Sequence, residues 1–336
     1  MNNDRIQEIL DLMEEARLDY FLISDPQSIA YCTGYYNDPH ERMFVFMISK
    51  HGNHTLFMND LFYLDHDLDV NIVWHKDGQD AIQTIVDEMH FPGRIGIDKN
   101  WASHFLLDLM KKLPDAKYIN ASPCVDLVRM KKDLQEQVLM IESSKINDAV
   151  MEEIIPFIQE GVTEKQLAKK LDELFFKHHS TCYGAIVAFG KNAADPHHEN
   201  DDTLLRKGDC VLIDMGCVYK GYCSDMTRTF FYEGILEEEI KVYEIVKKAN
   251  EAAEAMIKPG VKLSDIDKCA RKVISDEGYG KYFTHRLGHF IGRDVHEYGD
   301  VSSVNEMEVE EGMIFSIEPG IYLEGNFGVR VEDLVM

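Results

Sequence analysis

Over its first 120 residues this chain alternates helical and extended patterns, which confines that stretch to an α/β domain. Ile6, Ile9, Leu10 and Met13 recur at helical spacing and predict an amphipathic first helix. DYFLIS then reads as a strand, and RMFVFMIS and HTLFM as two more, joined through an HGN turn into a hairpin. IVWHK, RIGIDK and KYINAS continue the series, with AIQTIVDEMH and ASHFLLDLMKKL as helices between them. A hairpin within such a series makes the sheet mixed, while the strand order stays open.

The alternation stops near Ser122-Pro123, and a long helical pattern runs from about Asp133 to Pro156. A domain boundary is therefore expected between residues 121 and 133, giving an N-terminal α/β domain over 1–127 and a second domain over 128–336. The length of 336 residues suits two domains of roughly 150 each. In the second, Thr163 and Gln166 predict a capping box for the helix carrying Leu167, Leu171 and Phe175. Ser264 and Asp267 predict another for 265–277, and a further helix is expected over 238–257, ending at Pro259-Gly260. The apolar runs GAIVAFG, DCVLIDMG, TRTFFY, GMIFSIE and FGVRVEDLVM alternate with these helices as strands, so the second domain reads as α+β.

With 60 acidic against 35 basic residues, the formal charge of −25 argues against a nucleic-acid partner and against an anionic membrane surface. No run approaches a transmembrane span, and the N-terminus lacks the basic region and apolar core of a signal peptide. The seven cysteines form no CxxC pair, which fits a reducing compartment, and the chain is read as cytoplasmic. Cys217 and Cys223 are expected to be buried small hydrophobes rather than soft metal ligands.

Four carboxylates and one imidazole stand out in the second domain: Asp214, Asp225, His289, Glu318 and Glu332. Asp214 closes the run VLIDMG and Asp225 opens SDMTRTF, so the two read as the arms of a hairpin. A loop centred on Tyr219 and Lys220 makes them cross-strand partners about 4.5–5.5 Å apart at Cβ. Two aspartates that close repel unless cations lie between them, though two solvated turn carboxylates fit this hairpin equally well. Arg330 and Glu332 alternate in FGVRVEDLVM, so a period-2 strand projects both from one face. Glu318 follows MIFSI and precedes Pro319-Gly320, which ends a strand at the carboxylate. His285, His289 and His296 fall within twelve residues beside Gly288 and Gly292, a density that favours a site. Such an oxygen-rich set suits two hard divalent ions, Mn²⁺ before Co²⁺ or Zn²⁺.

The phrases IDMGC, YCSDMTRTF, HRLGHFIGRDVHE, FSIEPGIY and GVRVED resemble those of the pita-bread metallopeptidases, the family of methionine aminopeptidase, aminopeptidase P and prolidase. FGKNAADPHH and DPHERM are most similar to bacterial Xaa-Pro dipeptidases. The resemblance covers nearly the whole chain. It implies a creatinase-like N-terminal domain, a pita-bread (creatinase/aminopeptidase-like) catalytic domain, and a homodimer. It implies Asp214 as ligand of one metal, Asp225 and Glu332 as bridges, and His289 and Glu318 as completing the other metal's shell. His197 matches a histidine near the scissile bond, while His285, His296 and Arg330 match residues that bind substrate and stabilise the tetrahedral intermediate. Asp38, His40, Glu41 and Arg42 resemble a loop that in relatives approaches the active site of the other subunit.

The implied reaction is hydrolysis of the bond before proline in Xaa-Pro dipeptides, with a metal-bridging hydroxide as nucleophile. Glu318 is then positioned to take the nucleophile's proton and relay it to the leaving nitrogen. His296 suits the developing oxyanion, where loss of one donor costs about 2.7–4 kcal/mol. His285 and Arg330 are expected to anchor the substrate carboxylate, Arg330 by a bidentate contact. Two alternatives are an Xaa-Pro aminopeptidase acting on longer peptides and a catalytically silent pita-bread module that binds peptides or proteins. Retention of all five ligands together with His197 and His296 argues against the silent module, and equally against a metal-free hydrolase of the creatinase type.

Two departures from the family pattern carry expectations. Phe290 follows His289 where relatives usually have Gly, so a bulky ring is expected beside the metals, narrowing the pocket or shifting the strand. The sequence stops at Met336, where relatives usually continue, so a truncation with a frayed last-strand edge is expected.

Overall fold

The first helix, α1 (Asn3–Glu15), is capped by the Asn2 side chain, which accepts from Arg5 N, and buries Ile6, Ile9 and Met13, the stripe predicted by their spacing. There follow β1 (Tyr20–Ile23), α2 (Pro26–Thr33), β2 (Val45–Ser49), β3 (Thr55–Asn59), β4 (Asn71–His75), α3 (Ala81–Glu88), β5 (Arg94–Ile97), α4 (Ser103–Lys112), β6 (Lys117–Asn120) and α5 (Ser122–Met130). The computed structural model describes residues 1–64, 66–91 and 93–336. These form two compact units, Met1–Arg129 and Met130–Met336.

In the first unit six strands make one sheet, ordered β4-β3-β2-β1-β5-β6. The sheet is mixed: β1–β2 and β2–β3 pair antiparallel, and the outer pairs are parallel. Period-2 alternation divides the core between the two faces. Phe21 and Ile23 pack with Ile6, Ile9, Met13 and Val125. Tyr20 and Leu22 pack with Ile82, Ile85 and Leu109. Helices thus cover both faces, which is why β1, β2 and β3 read as unbroken apolar runs. No periodicity in the sequence announces α2. Its signals are present, with Asp25 as N-cap, Pro26 in the first turn and Gly34 in the left-handed C-cap position. Residues 28–33 are all buried, so the helix shows no amphipathic stripe.

The second unit opens with α6 (Leu134–Ile154), started by an Asp133/Glu136 capping box, and α7 (Glu164–Lys177), started by the predicted Thr163/Gln166 box. Next come β7 (Thr181–Cys182), β8 (Ile186–Phe189), β9 (Cys210–Met215), β10 (Cys217–Tyr219), β11 (Tyr222–Cys223) and β12 (Met226–Phe231). After α8 (Glu237–Glu254) and α9 (Leu263–Asp276) the chain ends in β13 (Gly288–His289), β14 (Asp300–Val301), β15 (Phe315–Ile317), β16 (Gly320–Leu323), β17 (Phe327–Arg330) and β18 (Asp333–Val335). Leu167, Leu171 and Phe175 of α7 pack on Val187, Phe189, Val211 and Ile213 of the β12-β9-β8 sheet. Cys217 and Cys223 are buried, with Cys217 in this core.

Three local expectations need correction. The Ser264/Asp267 box does not form, because α9 starts earlier, with Lys262 at the cap. Ser264 Oγ instead donates to Glu306, and the buried Asp267 carboxylate accepts from Arg271 and from Leu287 N. The hairpin turns at Lys220 and Gly221, both with positive φ (50° and 82°), the type I′ pattern that matches strand twist. Asp214 consequently faces Thr227, and Asp225 is a diagonal neighbour two positions along. A shift of two preserves facing, so both aspartates still reach one side.

FGVRVEDLVM, finally, is two strands rather than one: β17 pairs with β16, and β18 pairs with β15 as far as Val335, so the expected fraying is not seen. The strand change falls between Ile317 and Gly320 on one side and between Arg330 and Asp333 on the other. Glu318 and Glu332 both occupy these junctions, where the ladder is interrupted and a carboxylate can turn inward.

Candidate active site

A cavity of about 680 Å³ in the second unit is lined by all nine site residues expected from its sequence: Asp214, Asp225, His289, Glu318, Glu332, His197, His285, His296 and Arg330. Its volume falls in the range of small-ligand sites. β9 supplies Asp214, the entry to β12 supplies Asp225, β13 supplies His289, and the two junctions supply Glu318 and Glu332.

His289 stands at the centre. Its Nδ1 lies 3.2 Å from the Phe290 carbonyl, which therefore accepts the ring N–H and leaves Nε2 with a lone pair. That Nε2 is 3.5 Å from Asp225 Oδ2, 3.7 Å from Glu318 Oε1 and 3.8 Å from Glu332 Oε1. Thr227 Oγ1 donates to Glu332 Oε2 at 2.8 Å, but Glu332 Oε1 is buried without a hydrogen-bond partner. Burial, followed by the neighbouring carboxylates, pushes Asp225 and Glu332 well above the usual carboxylate range. Glu318 is raised by the same two causes, burial and then Glu332. Burial lowers His289, which keeps its imidazole neutral.

A buried carboxylate cluster with an orphaned oxygen facing a neutral imidazole lone pair is what a divalent cation would satisfy. Ligand atoms of Asp225, His289 and Glu332 lie within 4.8 Å of one another, close enough to share one ion. Asp214 adjoins them but is ion-paired to Arg330 Nη2 at 2.5 Å. The donor set of carboxylate oxygens and one imidazole thus fits divalent metal ions.

On the substrate side the structure departs from the expected bidentate clamp. Every nitrogen of Arg330 is engaged: Nε with Thr227 Oγ1, Nη1 with the Tyr322 hydroxyl and Nη2 with Asp214. The same hydroxyl lies 2.8 Å from His285 Nε2, while His285 Nδ1 faces the Arg286 carbonyl at 2.7 Å. Burial pushes His285 down to about 4, so it is neutral at pH 7. His285 and Arg330 are knit together through Tyr322 instead of being held open for an anion. His296 sets its ring edge-on to His289, centroids 4.3 Å apart, and is lowered to about 4 by burial and by that neighbour. His197 is exposed at the cavity wall.

Phe290 does not narrow the pocket. It directly follows β13, bridged to Phe315, so alternation turns it to the face opposite His289, where it is fully buried with its ring 5.4 Å from that of Phe315. Gly299, at φ +104°, makes the space: a Cβ there would lie 2.7 Å from the Phe290 ring.

Several contributors escaped the sequence reading. Thr227 was legible, being two positions from Asp225 and so on the same face. Tyr322 alternates with Gly320 along β16 and had no polar signal of its own. Tyr183, whose hydroxyl donates to the Ser224 carbonyl beside Asp225, arrives only through tertiary packing. Two ion pairs, one half-buried and one buried, lie behind the histidines. Arg271, paired with Asp267, donates to the carbonyls of Phe283 and His285, and Lys132 pairs at 2.9 Å with Glu297, next to His296.

A carboxylate-rich centre on the inner face of paired antiparallel strands, preceded by a separate α/β unit, defines a two-domain metallohydrolase architecture. Residues 138–336 match metallopeptidase family M24, and residues 5–131 match the creatinase/prolidase N-terminal domain. An uncharacterized peptidase from Staphylococcus aureus is 34% identical over 99% of this chain and 95% of its own. A dipeptidase from Pyrococcus horikoshii superposes with a TM-score of 0.93 at 36% identity, covering 99% of this chain and 94% of that one. A prolidase from Thermococcus sibiricus gives 0.93 at 34% identity, over 100% and 94%. The chain belongs to the M24 metallopeptidase family: it has the pita-bread catalytic fold and is a peptidase. Among the described residues no helix is long and apolar enough to cross a membrane.

Proposed function

We propose that this chain is an Xaa-Pro dipeptidase that hydrolyses the peptide bond preceding proline with two divalent ions, Mn²⁺ being our assignment. The observation that carries the reading is the orphaned Glu332 Oε1, facing His289 Nε2 among three carboxylates raised by burial. Likeness to a prolidase and a dipeptidase along almost the whole chain supports the substrate class. Asp214, Asp225, His289, Glu318 and Glu332 would hold the ions, which when bound supply Lewis-acid polarisation of the carbonyl and an acidified water.

The chain's own groups do the rest. Glu318, half-buried and raised, would take the nucleophile's proton and pass it to the tertiary nitrogen of proline. His296, neutral at pH 7, keeps an N–H to donate to the oxyanion. His197, His285 and Arg330 line the substrate side, with Arg330 left only its outer hydrogens for the substrate carboxylate. We further propose a cytoplasmic homodimer in which Asp38, His40, Glu41 and Arg42 serve the substrate end of the other subunit's site.

Metal analysis paired with hydrolysis of Xaa-Pro and Xaa-Pro-Yaa, with and without chelator, tests the reading. Two ions per chain and chelator-sensitive cleavage of the dipeptide are expected. Cleavage of the tripeptide alone would make the enzyme an aminopeptidase, and hydrolysis indifferent to chelator would remove the metal centre from the reaction.

A further inference from the structure

Glu164, the first residue of α7, is 0% exposed and takes no part in the proposed chemistry, yet its carboxylate gathers four hydrogen bonds. Oε1 accepts from Phe189 N at 2.8 Å and from Asn192 Nδ2 at 2.9 Å. Oε2 accepts from Asp201 N at 3.0 Å and lies 2.6 Å from His198 Nε2, which donates to it. The donors come from the end of β8, the 3-10 turn Gly190–Ala194 and the loop over 195–201. That loop carries Pro196 and His197 to the cavity wall. Its other ties are backbone turns, the Asp195 side chain, which accepts from His197 N at 3.1 Å, the Asp201 carbonyl, which accepts from Lys165 N at 3.2 Å, and the Asn200 side chain, which bonds Val187 N and the Ala185 carbonyl. Of the two charge-assisted bonds that tie this loop to Glu164, from His198 Nε2 and from Asp201 N, the Glu164–His198 contact is the nearer to His197, one residue away. A carboxylate at a helix N-terminus is favoured by the helix dipole, and a buried one with four donors is fixed in direction. Glu164, His198 and Asp201 have the composition of a metal site, but Glu164 has both oxygens filled by N–H donors, which speaks for a latch instead.

We propose that Glu164 and His198 are positioning residues that hold the 195–201 loop so that His197 meets the scissile bond. The inference rests on the reading of His197 as a substrate-facing residue. Misplacing a catalytic group by an ångström costs on the order of 100-fold, and the other loop ties soften that loss.

The test compares His198→Ala, His198→Gln, His197→Ala and the double change His197→Ala/His198→Ala in the full chain loaded with Mn²⁺. His198→Ala is expected to lower kcat on an Xaa-Pro dipeptide about tenfold with ion content unchanged, and His198→Gln, whose amide can donate to Glu164, to recover most of it. In the His197→Ala background the His198 change is expected to add nothing, since its effect passes through His197. Full additivity there, or loss of metal in His198→Ala, would overturn the proposal. Hydrogen exchange of the peptide over 190–203 provides a readout independent of turnover: faster exchange in His198→Ala is expected, and unchanged exchange would overturn the latch. Failure of the parent to cleave any Xaa-Pro substrate would instead strike the functional reading, leaving exchange to judge the latch alone.

Discussion

Glu332 makes the sharpest single-residue test, because its value changes sign with the metal. In the loaded protein it shares an ion with Asp225 and His289 in our reading, so Glu332→Ala or Asp225→Ala should lower hydrolysis at least about 100-fold while the chain stays folded. In chelated protein the same Glu332 oxygen is a buried acceptor without a donor, and removing it should raise the melting temperature at pH 8 instead of lowering it. Melts with and without chelator, beside a dipeptide assay, check both halves, and a loss of stability in the chelated variant would show that Glu332 is structural. For His296→Ala, a fall in kcat of about 100-fold or more is expected, the cost of one oxyanion donor. An unaffected kcat would move that role elsewhere.

At the scale of elements, the β9–β12 hairpin decides where Asp214 and Asp225 stand, and its turn carries an avoidable strain. Lys220 adopts φ 50°, a left-handed conformation costly for a side chain with a Cβ, at a type I′ position that favours Asn before Gly. Lys220→Asn should stabilise by about 0.5–1 kcal/mol without altering metal content, measured as a shift in urea midpoint at constant slope; a destabilised variant would mean that Lys220 makes a contact worth more than the strain. The turn also shows what sequence could tell. VLIDMG and SDMTRTF announced a hairpin with both aspartates on one side, because facing depends only on parity. The register was off by two, because Tyr219-Lys220 and Lys220-Gly221 differ only in which residues bear positive φ. The last run misled for another reason. Strand periodicity reports faces but not partners, so nothing in FGVRVEDLVM marks where pairing passes from β16 to β15. Phe290 stands next to His289 in sequence, yet the same period-2 rule sends it away from the cavity that His289 lines. The five candidate ligands were legible as a set because each sits at or beside a strand end in an apolar phrase, whereas Tyr183 and Tyr322 carry no such mark.

For the whole molecule, the relevant fact is that all the candidate ligands belong to Met130–Met336, while Met1–Arg129 has its own two hydrophobic cores. Ion removal should therefore act on one unit and spare the other. Its pH dependence follows from the three raised carboxylates. A carboxylate whose folded pKa lies above its unfolded value favours the fold while protonated, and that contribution is lost as pH rises from the ordinary values of 3.8 and 4.5 through the raised ones. Chelated protein should thus weaken steadily from pH 5 to pH 8, and added Mn²⁺ should recover more stability at pH 8 than at pH 5, with protons released on binding. Hydrogen exchange separates the units: on chelation at pH 8, peptides spanning 210–231 and 314–335 should lose protection, while those from β1, β2 and β3 keep theirs. Equal loss in both units would mean that they melt together, and equal stability at the two pH values would mean that the carboxylates are not held raised when the ions are gone.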